Sequence, residues 1–280
     1  MGRGELDEER RFLNKWEMHK ALDGEELGPC RLPETHLHGR EALAEMLARY
    51  DSVYIKPVDT WGGRGISRVE REGKGEDKGE GERWCWTVQG EPMQTFTNFE
   101  ELAKAMSPFD EKGVCIVQQT APLMTHGASQ FDIRVHMQRD LDGTWVYAGE
   151  LVRVSGADSI VSNVAISGGA VQPLAAVVGE TFDVSELKER LQEIGFRVCE
   201  ALEAYRVFTE IGVDLGIAPD GQLWLIEVNT DDAISGPSHE LFEHLPDKTY
   251  ANAMRERFQA RRMGMFQALF EWVQELDEED

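Results

Sequence analysis

The sequence predicts an α+β protein. Alternating and continuous apolar runs of strand length crowd the middle of the chain, whereas apolar residues at helical spacing mark both ends and the stretch 185–205. Strand-rich segments interleaved with helices pack as sheets covered by helices. Of 280 residues, 41% are apolar and 9% aromatic. A chain of this size and composition buries roughly three quarters of its unfolded surface, so a real core is expected rather than an acidic disordered chain.

Leu6, Phe12, Leu13, Trp16 and Leu22 stand among charges near helical spacing, predicting an amphipathic helix over 6–22. After a loop with Gly28, Pro29 and Pro33, the positions of Leu43, Met46 and Leu47 predict a helix over 40–49. Residues 52–56, Ser-Val-Tyr-Ile-Lys, are a short β-branched and aromatic strand stopped by Pro57. The glycine-dense loop 59–65 follows. Residues 66–71 and 84–89 then read as hairpin strands, whose tip of Gly, Lys, Glu and Asp is too polar to pack. Residues 114–117, Val-Cys-Ile-Val, have the continuous apolar character of a buried strand. The alternating runs 132–138 and 145–154 pair antiparallel across Asp142 and Gly143. Leu187, Leu191, Ile194, Val198 and Leu202 form one stripe of a helix over 185–205. Two further strands, 208–215 and 223–228, join through the turn at 218–221, and 248–276 is helical.

Lys and Arg total 29 against 52 Asp and Glu, a formal net charge of −23. Such a surface repels phosphate backbones and anionic lipid heads, so neither nucleic acid nor a membrane surface is an expected partner. No apolar run approaches the ~18 residues of a membrane span, and residues 1–10 lack the apolar core of a signal peptide. Cys30, Cys85, Cys115 and Cys199 are scattered, without the paired spacing of a zinc site. Reduced thiols in a cytoplasmic protein are the expectation. His36 and His38 lack neighbours that would complete a metal site.

Two patterns carry chemistry. In the first, Lys56 ends a strand just before Gly62, Gly63, Arg64 and Gly65. Glycines let backbone amides approach an anion, and a lysine adds a point charge for phosphate oxygens. No Gly-Lys-Ser/Thr and no helix follows, so this is not a Walker A loop. A hairpin turn alone would account for the glycines; Lys56 at an apolar strand end asks for more. In the second pattern, Asp214 and Glu227 lie inside apolar strands, with Asn229 two residues beyond Glu227 on the same face. Buried carboxylates are costly unless paired or metal-bound, and this oxygen set suits Mg²⁺. The competing explanation pairs a carboxylate with Arg134 or Arg153 to fix strand register. Asp132 and Arg134 share a strand face and could likewise form a structural ion pair, or two arginines could stabilise a transferring phosphoryl group.

In their order, these residues resemble the ATP-grasp superfamily, and the phrasing is most similar to its YheC/YheD spore-coat-associated branch. The resemblance rests on Phe12-Leu-Asn-Lys-Trp16, Leu32-Pro-Glu-Thr35, Tyr54-Ile-Lys-Pro57, Gly63-Arg-Gly-Ile66, Phe131-Asp-Ile-Arg-Val135 and Trp224-Leu-Ile-Glu-Val-Asn229, spread over about residues 11–245. It implies two α+β lobes clasping ATP, the smaller over 52–117 and the larger over 118–245. A helical segment over 1–51 and a C-terminal helix over 246–280 flank them. Lys15 and Lys56 would contact phosphates, and the loop 60–65, with Gly62, Gly63, Arg64 and Gly65, would cover them. Val117, Gln118, Gln119 and Thr120 would form the hinge beside adenine, with Asp132 near the ribose. Arg134 and Arg153 would face the γ-phosphate, Asn163 with Gly168 and Gly169 would border the acceptor pocket, and Asp214, Glu227 and Asn229 would hold Mg²⁺.

The implied activity is Mg²⁺·ATP-dependent ligation of a small-molecule or peptide carboxylate to an amine through an acyl-phosphate. Two departures qualify it. Only about 50 residues precede the lysine strand, so the additional N-terminal domain usual in the superfamily is expected to be reduced or absent; either a second copy or a partner chain completes the acceptor site, or the grasp domain alone holds the substrate. Asp231 and Asp232 also follow Asn229 where a small residue, Pro and Gly are common; they would bind a cationic amine or simply form an acidic turn. An ATP-grasp phosphotransferase, or a spore-coat or envelope-associated protein that keeps the fold without catalysis, are the other readings.

Overall fold

The computed structural model describes residues 13–60, 62–72, 83–110, 114–156, 159–162, 164–231 and 239–278. The smaller lobe contains β2 (Thr35–Leu37), α2 (Arg40–Arg49), β3 (Ser52–Pro57), β4 (Ser67–Glu72), β5 (Arg83–Val88), β6 (Gln94–Phe96), α3 (Phe99–Met106) and β7 (Cys115–Gln119). Its strands form an antiparallel sheet in the order β2-β7-β3-β4-β5-β6. One face of that sheet is apolar. Leu43, Met46 and Leu47 of α2 and Leu102 and Met106 of α3 pack there against Val53, Ile55, Val69 and Val117.

The larger lobe contains α1 (Lys15–Leu22), β1 (Cys30–Arg31), β8 (Thr125–His126), β9 (Ser129–Arg139), β10 (Trp145–Val154), α4 (Val164–Ser167), β11 (Ala170–Gln172), α5 (Leu174–Val178), α6 (Val184–Glu203), β12 (Glu210–Ile217), β13 (Leu223–Thr230) and α7 (Thr249–Glu278). Its main sheet runs β1-β13-β12-β9-β10-β11, antiparallel except for the β1–β13 pair. The stripe on α6 lies against the odd-numbered face of β9, where Phe131, Ile133, Val135 and Met137 point. Each such Leu or Ile, removed from water, contributes about 1.5–3 kcal/mol. Asp183 caps α6 by accepting from the amides of Ser185 and Glu186. The even-numbered face of β9 is polar, and it builds the site.

The sequence reading set 1–51 apart as one helical segment. Instead, residues 13–51 are divided between the sheets. α1 and β1 join the larger lobe, with Leu13, Met18, Ala21 and Leu22 in its core. β2 and α2 join the smaller lobe. The reason is local: β2 finds an edge partner in β7, whereas Cys30 and Arg31 register on Leu223 and Trp224. The hairpin tip at 73–82 lies outside the described residues, and no described helix is long and apolar enough to cross a membrane. The four cysteines are unpaired.

α7 is seated on β10 through Tyr250, whose ring lies over the backbone of Gly149 at a β-bulge. Gly149 has φ +147°, and a Cβ there would stand 2.6 Å from the ring. Gly149→Ala should therefore cost about 2–4 kcal/mol, read as a lowered urea midpoint. In a Tyr250→Ala background the same change should cost less than half as much.

Candidate active site

The site grows from strand register. On β9, Asp132 and Arg134 stand two apart on the polar face; Arg153 of β10 lies opposite Asp132, and Asp214 of β12 opposite Arg134. One extra residue, Ile226, is inserted in β13 against the Asp214–Leu215 step, which sets Glu227 opposite Asp214 and Asn229 opposite Gly212. A row of charges thus crosses four strands. Gly212 is needed here because a Cβ would press on the guanidinium of Arg134 at 3.1 Å.

These charges are paired. Arg134 donates to both carboxylate oxygens of Asp214 through Nε and Nη2. Arg153 donates to both oxygens of Asp132 at 2.7 and 2.5 Å and reaches Asp214 at 2.8 Å. Ser162 donates to Asp132, and the amide nitrogen of Asn229 to Asp214 at 3.2 Å. Burial raises the carboxyl of Asp132 against the pull of Arg153, and the charge of Asp214 adds to the rise. Burial pushes Asp214 the same way, but the two arginines overcome it and hold Asp214 below the usual range. Asp214 is therefore the firmly ionised member.

Across the cleft, Lys56 ends β3, buried, with its ammonium donating to Gln118 at 2.6 Å and lying 5.7 Å from the Tyr54 ring centroid. Burial brings its pKa down to about 8, with Glu227 opposing the fall and Lys15 adding to it. Gln118 donates in turn to Thr35. Lys15 is fixed by a capping box at the start of α1, in which Asn14 and Glu17 exchange hydrogen bonds. Its ammonium donates to the Thr60 carbonyl and lies 3.5 Å from Glu227.

Between the lobes is a cleft with a cavity of about 300 Å³, lined by Lys56, Gly62, Gly63, Gln118, Gln119, Asp132, Arg134, Arg153, Asp214, Glu227 and Asn229. Gly62, Gly63 and Gly65 all have φ near +70 to +84°, and Gly63 approaches Val161 of the other lobe so closely that a Cβ would sit 3.2 Å from it. Arg64 is exposed, and neither it nor Gly65 lines the cavity. Lys15 reaches the site from a smaller adjoining cavity. Trp61, Asn163 and Asp232 lie outside the described residues. Gly168 and Gly169 are described but do not line the cleft. Asp231 is a turn residue: its carboxylate accepts from the amide and hydroxyl of Thr209.

Sequence reasoning missed Arg68 and Ser162. Arg68 of β4 lines the cleft, and its Nε is buried without a partner among the described residues. Its Nη2 lies 2.8 Å from Glu70, so the guanidinium is ion-paired with one buried donor left unmet. Its alternation with the inward-facing Val69 was the available signal, but a charged residue on a hairpin strand usually faces water. Among the described residues, five cations (Lys15, Lys56, Arg68, Arg134, Arg153) meet three carboxylates (Asp132, Asp214, Glu227) here, a net positive site in a chain of net −23. Glu227 and Asn229 offer hard oxygens that fit Mg²⁺ directly; Asp214 fits only once an arginine yields one of its oxygens.

The family described as YheC/D-like ATP-grasp matches residues 8–259. The chain belongs to that family. It is 27% identical over 258 residues to endospore coat-associated protein YheD of Bacillus subtilis (strain 168), covering 88% of this chain and 52% of that one. It is 22% identical over 237 residues to endospore coat-associated protein YheC of the same organism, covering 79% and 60%. The chain thus spans between about half and three fifths of the length of these relatives. Two solved structures of N5-carboxyaminoimidazole ribonucleotide synthetase are also similar. An ADP complex has a TM-score of 0.44 at 14% identity, covering 78% of this chain and 44% of that one. The Thermotoga maritima protein has 0.41 at 13%, covering 78% and 41%. The two-lobed architecture of the YheC/D-like chain, with its cleft between sheets, is the ATP-grasp fold.

Removing one member of the buried network should separate structural from cleft-facing carboxylates. Asp214→Asn leaves two buried arginines short of charge and should destabilise the fold by about 3–5 kcal/mol. Glu227 is 31% exposed, and Glu227→Gln should change stability by less than about 1 kcal/mol. Urea unfolding of the two variants reads the difference.

Proposed function

We propose that the chain uses Mg²⁺ and ATP to join a carboxylate to an amine. The observation that carries this is the charge row from Arg153 to Glu227 facing Lys56 and the glycine turns across one cleft, in a chain of the ATP-grasp family. Adenine lies against the hinge strand at Gln118, Gln119 and Thr120, and the phosphates run toward Lys56, Lys15 and the loop 60–65. Glu227 and Asn229, with Asp214, would hold Mg²⁺, which would supply charge neutralisation to the phosphates. Arg134 and Arg153 meet the γ-phosphoryl group.

The chemistry needs no side-chain nucleophile. A substrate carboxylate oxygen attacks the γ-phosphorus, the bond to ADP breaks, and an acyl-phosphate forms. The amine nitrogen then bonds to the acyl carbon, inorganic phosphate leaves, and the amine gives up a proton. What the protein contributes is position and fixed charge in the cleft between the sheets. The adjoining cavity of about 60 Å³, walled by Leu13, Met18, Leu32 and Leu225 beside Lys15 and Glu227, supports a small apolar group on the carboxylate substrate.

A second reading rests on the relatives' names. Two endospore coat-associated proteins support a spore-associated role in which nucleotide binding persists without ligation. The two readings part on phosphate release: a ligase liberates ADP and phosphate only when a carboxylate and an amine are both supplied.

Calorimetry with a non-hydrolysable ATP analogue, with and without Mg²⁺, tests the site. Magnesium-dependent binding should be seen in the wild type and weaken at least about 100-fold in Lys56→Ala. No binding by folded wild-type protein would overturn the proposal. Lys56 also sets a pH dependence. Bound phosphate favours the charged lysine, whose pKa in the free protein is about 8. Binding should therefore take up protons near pH 8 and weaken as the pH rises through that value. Calorimetry in buffers of differing ionisation enthalpy should show this uptake in the wild type and lose it in Lys56→Arg, whose guanidinium stays charged.

A further inference from the structure

The polar face of β9 does not end at Arg134. His136 and Gln138 continue it, and Glu210 of β12 lies opposite Gln138. A 3₁₀ turn (His239–His244) and α7 cover this end of the face and bring His239 over it. His136 is fully buried, and neither ring nitrogen has a hydrogen-bond partner among the described residues. Its Nε2 lies 3.3 Å from Glu210 Oε2, and the same oxygen lies 3.1 Å from His239 Nδ1. All three ligand atoms fall within 4.8 Å of one another. Bonds of about 2.0–2.2 Å around a tetrahedral ion put its ligands about 3.4 Å apart, close to the two separations found.

We propose that His136, Glu210 and His239 bind a zinc-class divalent ion that staples the 3₁₀ turn to the sheet. Two imidazoles and one carboxylate, with the fourth position left to water, are a donor set that Zn²⁺ takes and Mg²⁺ does not. The surroundings orient the ligands. Gln138 at 3.0 Å and Arg261 at 2.8 Å both bond the other oxygen, Oε1, so Oε2 is turned between the two histidines. Phe242 packs edge-on against His136, and Phe258 lies tilted against His239. Burial holds His136 in its neutral, ligating form. This cluster is distinct from the Asp214, Glu227 and Asn229 set: it lies one step along the same face, beyond Gly212, and its imidazoles are absent from the cleft.

The test uses the full chain, stripped with a chelator. Co²⁺ should then bind at one equivalent with the intense visible bands of a four-coordinate nitrogen and oxygen site, and Zn²⁺ should displace it. Zn²⁺ at about 100 times its dissociation constant should raise Tm by about 5–10 °C. His239→Gln keeps a donor for Glu210 and so keeps the fold, but should lower the affinity for Co²⁺ at least about 100-fold and abolish the Tm shift. Glu227→Gln, in the other site, should retain both signals. An apo protein whose spectrum and Tm ignore both ions would overturn the proposal, leaving the cluster as a hydrogen-bonded latch. A Co²⁺ signal unchanged in His239→Gln but lost in Glu227→Gln would overturn it equally, by placing the ion in the cleft.

Discussion

Arg134 and Arg153, nearly buried on the two longest strands, set the terms for everything around them. A guanidinium out of water is tolerated only if its donors are met and its charge is answered. Asp214 and Asp132 do both, each by two-pronged pairing. That requirement fixes the register of β9 against β10 and β12, because a one-residue slip would turn every partner to the opposite face. It fixes the glycine at 212, over which Arg134 lies. It also explains why one face of the larger sheet is hydrophobic under α6 while the other carries charge in a buried setting. Replacing such a network with hydrophobic side chains would often be no less stable, so stability alone does not account for it.

The cleft's sign also matters. A surface of net −23 would repel a nucleotide, yet the cations at its floor outnumber the carboxylates there. The low-dielectric walls concentrate that local field, and the acidic exterior discourages other polyanions from lingering. Lys56 is poised for the same reason. Held at about 8 by burial, its charge is easily lost to solvent base and easily restored by a phosphate, so affinity and protonation are linked at one atom.

Much of this was legible in the sequence. The residues of β3, β9, β10, β12, β13, α2 and α6 announce themselves by alternating or continuous apolar runs or by helical spacing, since each packs apolar side chains along several turns or pleats. The short elements β1, β2, β6, β8 and β11 do not, because two or three residues hold no period and depend on an edge offered by a distant strand. α3 was missed although Asn98 caps it and Leu102, Ala103 and Met106 form its apolar side; eight residues sit near the lower limit for a periodic pattern. For the site, the residue types and their order were readable, but not the pairing. Whether Asp214 faces Arg134, Glu227 or both is decided by one inserted residue, Ile226, and nothing in its identity marks a bulge. The histidine cluster was invisible for a similar reason: His136, Glu210 and His239 are 74 and 29 residues apart and meet only through strand register and a 3₁₀ turn.

The ion pairs and the proposed metal compete for the same oxygens, and that competition bears on how a nucleotide and a metal would bind together. With Asp214 held by two arginines, Glu227 and Asn229 alone are ready to face a cation. On the proposed function, an incoming triphosphate would bring the charge that Arg134 and Arg153 otherwise take from carboxylates, and the oxygens so released would be those a hard cation needs. Neither exchange is favourable alone, because moving only the arginines strands Asp214 and adding only a cation sets it against a guanidinium. Taken together they keep every charge answered throughout. A network that is costly as architecture would, on the proposed function, be a set of interchangeable partners in which the arginines exchange aspartates for a nucleotide's phosphates.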